Sequence, residues 1–209
     1  MNNPWDSIPL SDYENHMVLD SVRQLQTMND LMADQFVRYP IRSAMVLGVA
    51  GGNGLEHVDP SRLETVWGVD LNGDYLAACV ARYPHLEGTL HLLRADLTDE
   101  ALSLPPADLV IANLLVEYIG YPCFQRVLRQ VAPRYVSCVI QLNTGDGFVS
   151  DSPYLHAFDG LSAVHHQMEE AALTAALAAA GYVPAFREER PLPNGKQLLR
   201  LDYTVENPT

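Results

Sequence analysis

A short apolar run followed by closely spaced glycines constrains the fold of this chain more than any other feature. Residues Ala44–Val49 form an apolar run that is long enough for one buried strand. Glycines at positions 51, 52 and 54 follow, and so many small residues let the backbone turn sharply and let a ligand approach the main chain. A second apolar run, Thr65–Val69, predicts the next strand. The sequence therefore predicts a strand–loop–strand unit with a ligand site at the loop.

Asp70 ends the second predicted strand and gives this unit its chemistry. An acid at the tip of that strand, after a glycine-rich loop, is placed to accept hydrogen bonds from both hydroxyls of a ribose. Residues 55–58 can begin a helix whose free N–H groups face the same ligand. The unit therefore predicts a site for a nucleoside cofactor.

The spacing of the glycines decides which nucleoside cofactor fits. The dinucleotide fingerprint G-x-G-x-x-G, started at Gly48, needs glycine where Ala50 and Asn53 stand, which disfavours a nicotinamide cofactor. Started at Ala50, the loop reads A-x-G-x-G, which resembles the first motif of class I S-adenosylmethionine-dependent methyltransferases. Gly48 stands where that family usually has an acid, and Ala50 replaces the first glycine. Later motifs of the family are resembled, in the expected order, by residues 68–72, 94–97 and 108–113.

The resemblance implies a fold, a cofactor and a set of binding residues. The fold is α/β, a Rossmann-like doubly wound sheet of seven strands in the order 3-2-1-4-5-7-6, with strand 7 antiparallel and helices added at the N-terminus. The cofactor is S-adenosyl-L-methionine, with S-adenosyl-L-homocysteine as the product. Asp70 would bind the ribose, Asp96 and the backbone of Leu97 the adenine, and Leu71 the face of the adenine ring. The complete set of predicted cofactor-binding residues is Gly48, Ala50, Gly51, Gly52, Asn53, Gly54, Asp70, Leu71, Asp96, Leu97, Asn113 and Leu114.

The N-terminal forty residues precede the cofactor domain and read as helical. Ser11 and Glu14 match a capping box, and apolar residues recur behind them at three- and four-residue spacing from Val18 to Phe36. The pattern is interrupted near residues 19–21 and stops before Pro40. We therefore expect residues 1–40 to form a helical segment, either a lid over the acceptor or a segment packed on the sheet. Residues 41–209 form the cofactor-binding domain of a single compact unit.

Apolar runs and turn residues divide the rest of the domain into alternating helices and strands. We predict strands over 89–93, 109–113 and 135–142, and helices over 75–83, 121–131 and 166–180. The dipeptide Asn194-Gly195 predicts a terminal hairpin between strands 182–189 and 196–205. The long connection 143–164 is expected to be functional, because loops of that length are uncommon and usually have a function.

Composition excludes several classes of function. The chain has 209 residues and a net charge of −13, so its surface repels a phosphate backbone and disfavours nucleic acid. The residues after Asn113 are Leu-Leu-Val. The chain therefore lacks the D/N-P-P-aromatic motif that methyltransferases of the resembled family usually carry when they act on nucleic-acid bases. No apolar run could span a membrane, and the N-terminus does not resemble a signal peptide, so a cytoplasmic protein is expected. The three scattered cysteines indicate neither disulfides nor zinc.

Methyl transfer asks little of side chains beyond alignment, but an oxygen or nitrogen acceptor can need a base. Glu117 is the predicted catalytic residue because it directly follows the fourth strand; its other interpretation is an acid in the first turn of a helix. His165 and His166 are further candidate bases, but as neighbours they diverge and predict no metal site. The predicted residues of the substrate site are Tyr13, His16, Met17, Tyr118, Asp146 and His156.

The sequence favours a methyltransferase for a small-molecule acceptor, acting as a monomer or homodimer. Two alternatives remain open. One is a protein that binds an adenosyl cofactor without catalysis, and the other, less favoured by the glycine spacing, is a nicotinamide-dependent oxidoreductase.

Overall fold

A seven-stranded mixed sheet forms the centre of the molecule. The computed structural model describes residues 3–143 and 147–206. The strand order is β3-β2-β1-β4-β5-β7-β6, in which β7 runs antiparallel to both of its neighbours. This confirms the predicted fold class and strand order. The strands are β1 Ser43–Leu47, β2 Thr65–Asp70, β3 Leu90–Arg94, β4 Leu109–Asn113, β5 Tyr135–Leu142, β6 Tyr182–Pro191 and β7 Gln197–Val205.

The central strands are buried on both faces, as their unbroken apolar runs require. In β1 and β4, four of the five residues in each strand are buried. One apolar cluster lies under the helices α4 (Val116–Val131) and α5 (Glu170–Ala179) and includes Phe124 and Leu173. The opposite face carries a second cluster. The carboxyl ends of the parallel strands therefore meet at one edge, where open α/β sheets bind ligands.

Two N-terminal helices precede the sheet. Helix α1 covers Leu10–Val18 and helix α2 covers Gln24–Gln35, so the predicted break is confirmed. The capping box is wrong, because α1 begins one residue before Ser11 and its N-cap is Pro9, which makes no side-chain cap. Val18, expected on the buried stripe, is 43% exposed. The stripe is buried only from Val22 onward because the chain turns between the helices.

The connection between β1 and β2 contains no α-helix, contrary to the helix start predicted at residue 55. A three-residue 3-10 helix, Leu55–His57, is the only helical turn there. Helix α2 covers this face instead, since Met32 and Phe36 pack in the same cluster as Val46 and Leu55. Ten residues that include Pro60 are too few to form a helix and return to the sheet. The predicted helix N-terminus therefore does not contribute to the site.

The later helices differ from prediction at their ends. Helix α3, Gly73–Arg82, is capped by Asn72, whose side chain accepts from two backbone amides. Helix α4 begins at Val116, five residues before the predicted start, and is interrupted at Gly120, where φ is 71° and ψ is 164°. Helix α5 begins at Glu170 rather than 166. The Asn-Gly hairpin is present between β6 and β7.

A buried polar network joins the N-terminal helices to the C-terminal hairpin. The guanidinium of Arg200 lies fully buried and donates to the carboxylate of Asp202 at 2.7 Å and to Asp34 at 2.6 Å. Tyr39 also donates to Asp202, at 2.9 Å. Because buried ionised groups are stable only when paired, this network fixes α2 against β7. Among the described residues, no helix is long and apolar enough to cross a membrane.

Candidate active site

A cleft of about 720 Å³ lies at the carboxyl ends of β1, β2 and β4. The structure brings together here eight of the twelve predicted cofactor residues, which are Gly48, Ala50, Asp70, Leu71, Asp96, Leu97, Asn113 and Leu114. A smaller cavity between this cleft and the N-terminal helices is lined in part by Gly51 and Asn53. Gly52 and Gly54 line neither cavity.

Asp70 stands where the sequence places it, at the tip of β2, and its carboxylate shapes the glycine loop. One oxygen accepts the backbone N–H of Ala50 and the other accepts that of Asn72, each at 2.9 Å. Burial raises the pKa of Asp70 above its usual value, and the two amides partly offset that shift. Each oxygen keeps acceptor capacity, since a carboxylate can accept about four hydrogen bonds. Asp70 can therefore hold the loop and still receive two ligand hydroxyls.

The glycines of the loop face protein side chains rather than an open cradle. A Cβ added to Gly51 would lie 2.5 Å from the Glu14 carboxylate, and one added to Gly52 would lie 2.7 Å from the Tyr83 ring. At Gly54 the obstacle would be Met32, at 2.6 Å. These positions are glycine because helices α1, α2 and α3 pack closely on the loop, so a larger residue there would disrupt packing before it blocked a ligand.

Asp96 and Leu97 follow β3 and contact the turn after it. One oxygen of the Asp96 carboxylate accepts the backbone N–H of Thr98 at 2.9 Å and its hydroxyl at 2.7 Å. Asp96 thus caps this turn and also lines the cleft. The capping role therefore does not exclude a contact between Asp96 and a ligand in the cleft.

Four aromatic rings form a continuous row along the cleft. The Trp5 ring lies 5.8 Å from Tyr13 and 5.0 Å from Tyr118, and Tyr13 lies 6.3 Å from Tyr75. Sequence analysis missed Trp5 and Tyr75. Trp5 lies in an irregular segment without periodicity, and Tyr75 looked like one more apolar residue of α3. The faces of such rings attract cations, which suits a ligand that carries a sulfonium.

The segment that carries Trp5 is fastened to the tip of β2 and to α3. The Asn72 side chain donates to the carbonyl of Trp5 at 3.1 Å, and the Tyr75 hydroxyl donates to the carbonyl of Ile8 at 2.9 Å. Burial raises the pKa of Tyr75, so its hydroxyl stays a donor. Chain segments far apart in sequence therefore close the cleft together.

Helix α1 is held over the glycine loop by a charged clasp. The guanidinium of Arg82 forms two hydrogen bonds to the Glu14 carboxylate, one of them at 2.8 Å, and donates to the carbonyl of Gly51 at 2.9 Å. Both side chains are partly exposed, so water and salt weaken the pair. The clasp therefore positions α1 over the glycine loop, and its exposed ion pair adds little free energy against opening.

A second cavity of about 440 Å³ adjoins the cleft and shares Trp5, Leu114 and Tyr118 with it. Its other walls include three predicted residues, His16, Met17 and Glu117, as well as Phe148 and Phe158. The ring of His16 bonds to the hydroxyl of Ser152 at 2.8 Å, and burial lowers its pKa. The structure thus brings three of the six predicted substrate residues, His16, Met17 and Tyr118, around one mainly apolar space.

Glu117 is the carboxyl group of the second cavity and is almost fully buried. Its Oε2 atom has no hydrogen-bond partner among the described residues. Burial raises the pKa of Glu117 to about 8, although the Gln141 backbone amide and the Lys196 cation both lower it. A buried polar atom without a partner is costly, so this oxygen is arranged for something other than stability.

Lys196 is the second buried charge here, and sequence analysis missed it. Its ammonium donates to the carbonyl of Phe148 at 2.6 Å. Burial lowers the pKa of Lys196 to about 8, while the neighbouring Glu117 raises it. Lys196 follows the hairpin glycine in sequence and looked like an ordinary turn residue, so no local signal indicated its burial.

One predicted substrate residue does not join the site. His156 is 94% exposed in a 3-10 helix, pairs with Asp159 and lines no described cavity. It was predicted on residue type in a long loop, which does not fix orientation. Asp146 lies outside the described residues. Of the other candidate bases, His165 stacks on Phe148 at 3.9 Å. In the described part of the chain, no group of three or more metal-ligating side chains could hold a metal ion.

Asn113 ends β4 and lines both the cleft and the smaller cavity at the glycine loop. Hydrogen bonds to other side chains fix the orientation of its amide. Its amide exchanges two hydrogen bonds with the amide of Gln35, at 2.9 and 3.0 Å. Gln35 also donates to the Ser137 hydroxyl at 2.7 Å, and Ser137 donates to Asp202. The network that joins α2 to β7 therefore also orients a side chain of the cleft.

Comparison with solved structures identifies the fold. Magnesium protoporphyrin IX methyltransferase (ChlM) from Synechocystis PCC 6803, with bound SAH, has a TM-score of 0.73 at 12% identity over 97% of this chain and 96% of that one. The N-methyltransferase NodS from Bradyrhizobium japonicum WM9 has a TM-score of 0.69 at 10% identity, covering 99% and 100% of the two chains. The 4+2 cyclase SpnF has a TM-score of 0.65 at 11% identity, covering 90% and 84%.

By sequence, neither a family model nor a curated protein matches the chain. The likeness is therefore one of structure. Together with the strand order, it shows that the chain has the fold of class I S-adenosylmethionine-dependent methyltransferases.

Proposed function

We propose that the chain binds S-adenosylmethionine and transfers its methyl group to a small-molecule acceptor. The observation that carries the proposal is the pair of adjoining cavities. The cleft at Asp70 and Asp96 has the size and the hydrogen-bond acceptors for an adenosyl group, and the second cavity begins where its reactive end would lie. The roles of Asp70, Asp96, Leu97, Leu71 and Asn113 remain those predicted.

The chemistry of the cleft fits this cofactor. Asp70 offers acceptors to two ribose hydroxyls, and aromatic rings, whose faces attract cations, line the cleft that a sulfonium would enter. When bound, the cofactor supplies an activated methyl group. The protein supplies alignment, a water-poor space formed with the N-terminal segment, and Glu117 as a group that can accept a proton. The acidic surface further supports a small molecule over nucleic acid as the acceptor.

Calorimetry with S-adenosylhomocysteine and with NAD tests the cofactor. We expect S-adenosylhomocysteine to bind and NAD not to bind, whereas the reverse result would restore the oxidoreductase alternative. Transfer of label from methyl-labelled S-adenosylmethionine to a panel of phenols, amines and carboxylic acids then tests the reaction.

A second candidate is cofactor binding without methyl transfer. It is favoured by one comparison, since SpnF shares this fold and its name describes a cyclase rather than a methyltransferase. S-adenosylhomocysteine binding combined with no labelled product from any member of the panel would select this candidate.

A further inference from the structure

The second cavity carries information about the acceptor. Its walls are largely aromatic and apolar, with Trp5, Tyr118, Phe148 and Phe158 among them. Such walls suit a flat, apolar molecule that has few polar groups. The position of the polar atoms in the cavity therefore determines which functional group of that molecule can be accommodated.

Glu117 offers the unsatisfied polar atom of this cavity. Its Oε2 is buried and has no hydrogen-bond partner among the described residues, although the same side chain receives the Gln141 backbone amide. A ligand group that donates one hydrogen bond to Oε2 would remove the cost of leaving this oxygen unpaired. The site therefore selects for a ligand with a donor at that point.

The charges around Glu117 decide between a neutral donor and a cationic one. Lys196, in the β6–β7 hairpin, lowers the pKa of Glu117 through its positive charge. The same charge helps to lower the pKa of His16 on α1 and that of His165. Tyr13 and Tyr118 lie within the electrostatic reach of Glu117, and burial raises the pKa of both hydroxyls, so both are neutral. An ammonium ligand would be repelled by the sulfonium of the proposed cofactor and, below about pH 8, by the charged Lys196 as well, whereas a hydroxyl would not.

Building on methyl transfer as the proposed function, we propose that the acceptor is a neutral, flat hydroxyl compound, a phenol or an enol, whose hydroxyl donates to Oε2 of Glu117. In the reaction the hydroxyl oxygen attacks the methyl carbon. The C–O bond forms as the C–S bond breaks, the electron pair of the broken bond remains on sulfur, and the hydroxyl proton passes to Oε2. Every charge is balanced, because the sulfonium becomes a neutral thioether and the carboxylate becomes a carboxylic acid.

The ionisation of Glu117 gives this step a pH dependence. The pKa of Glu117 is raised to about 8 by burial, so its carboxylate form, which accepts the proton, increases as the pH rises toward and past that value. Burial makes this carboxylate a stronger base than an exposed one. It is accordingly better matched to a phenol, whose acidity resembles that of tyrosine.

Binding of three matched probes to the protein loaded with S-adenosylhomocysteine tests the proposal without relying on turnover. The probes are 2-naphthol, 2-methoxynaphthalene, which lacks the donor, and protonated 2-naphthylmethylamine, which is a cation. Calorimetry or saturation-transfer NMR at pH 8.5 (about half a unit above the pKa) measures the affinities. We expect 2-naphthol to bind at least about tenfold more tightly than 2-methoxynaphthalene. The ammonium probe is compared with 2-naphthol at pH 7, where Lys196 is mostly charged, and should bind more weakly than 2-naphthol there.

The Glu117→Gln variant should reduce this preference to within about threefold and abolish its dependence on pH. Glu87→Gln is the matched control, since Glu87 is exposed and lines no described cavity, and it should behave as the parent. The parent protein alone already tests the proposal if the Gln variant does not fold.

Several results would overturn the inference. They are equal affinity for 2-naphthol and its methyl ether, tighter binding of the ammonium probe than of 2-naphthol at pH 7, no binding of any probe, or a hydroxyl preference that survives Glu117→Gln. Failure of the proposed function is a separate outcome, because it appears first as absence of S-adenosylhomocysteine binding.

Discussion

Asp70 has two partners on its own chain and two more expected from a ligand. Replacing it with Ala should weaken S-adenosylhomocysteine binding by roughly 100-fold or more, since each charged hydrogen bond to a ribose hydroxyl is worth about 1.5–3 kcal/mol. Calorimetry measures the loss. Asp74→Ala, which removes an exposed acid of the same region, should leave the affinity unchanged. Unchanged binding by Asp70→Ala would remove Asp70 from the site.

Loss of Asp70 would also free the amides of Ala50 and Asn72, so a second variant separates the two effects. Asp70→Asn keeps a carbonyl oxygen that accepts one of these amides. If the weaker binding came only from a displaced loop, Asn would restore much of it. If it came from the ribose contacts, Asn would remain close to Ala.

Glu117 makes the stability of the chain depend on pH. Its folded-state pKa of about 8 exceeds the usual glutamate value of about 4.5, so the folded state binds a proton more tightly than the unfolded state. The stabilisation is complete below about pH 4.5 and is lost as the pH rises to about 8. Over this range the free energy of unfolding of Glu117→Gln should gain roughly 3–5 kcal/mol relative to the parent.

Urea unfolding at several pH values checks this expectation. Glu87→Gln should follow the parent at every pH, because Glu87 is exposed and lines no described cavity. A difference between Glu117→Gln and the parent that does not change with pH would mean that Glu117 is ionised in the fold, and its assignment as a raised-pKa group would be wrong.

At the residue scale, the residues at strand ends could be predicted from the sequence, whereas contacts between residues distant in the sequence could not. Asp70, Asp96 and Asn113 were found because each ends an apolar run, and a parallel sheet brings such ends together. Trp5 and Lys196 were missed because their burial depends on segments distant in sequence. His156 shows the converse error, in which a reactive residue type suggested a role that its exposure does not support.

At the scale of elements, helix α1 and the stretch before it are our candidate lid. Tyr13, His16 and Met17 line cavities, and the Glu14–Arg82 clasp holds the helix over the glycine loop. A cover that opens for ligand exchange is less protected than the sheet when the site is empty. We expect S-adenosylhomocysteine to slow hydrogen exchange of residues 11–20 more than that of β4 or β5.

The clasp provides the corresponding variant. Arg82→Ala should speed exchange of residues 11–20 in the free protein, whereas Arg129→Ala, which removes an exposed arginine of α4, should not. Equal protection of residues 11–20 with and without S-adenosylhomocysteine would favour the other interpretation, in which these helices only pack on the sheet.

Strand positions could be predicted better than helix positions, and the reason is physical. β4 and β5 have the predicted ends because a buried parallel strand must be apolar throughout and is bounded by turn residues. Helix α4 begins earlier than predicted because Gly120 interrupts the periodicity. The helix expected after the glycine loop is absent because α2, from outside the domain in sequence, covers that face.

At the scale of the whole molecule, the buried Arg200 of β7 joins the two ends of the chain, because it pairs both with Asp202 of its own strand and with Asp34 of α2. Arg200→Leu would leave the fully buried Asp202 without its partner, a change that typically costs about 3–5 kcal/mol. For a chain of this size that corresponds to a fall in melting temperature of roughly 10 °C. Arg190→Leu removes a partly exposed arginine of β6 and should shift it by no more than about 2 °C. Calorimetric melting distinguishes the two, and equal effects would contradict the role given to the network.

The segment that holds Trp5, Tyr13 and His16 borders both the cleft and the second cavity. Both S-adenosylhomocysteine and the methylated product would therefore leave when this segment moves away from the two cavities. When that event is slower than the chemistry, good and poor acceptors turn over at one common rate, and solvent viscosity sets it. Single-turnover rates would then differ among acceptors while steady-state rates coincide. In such a protein, the speed of the catalytic cycle is determined by the first eighteen residues rather than by the reacting groups.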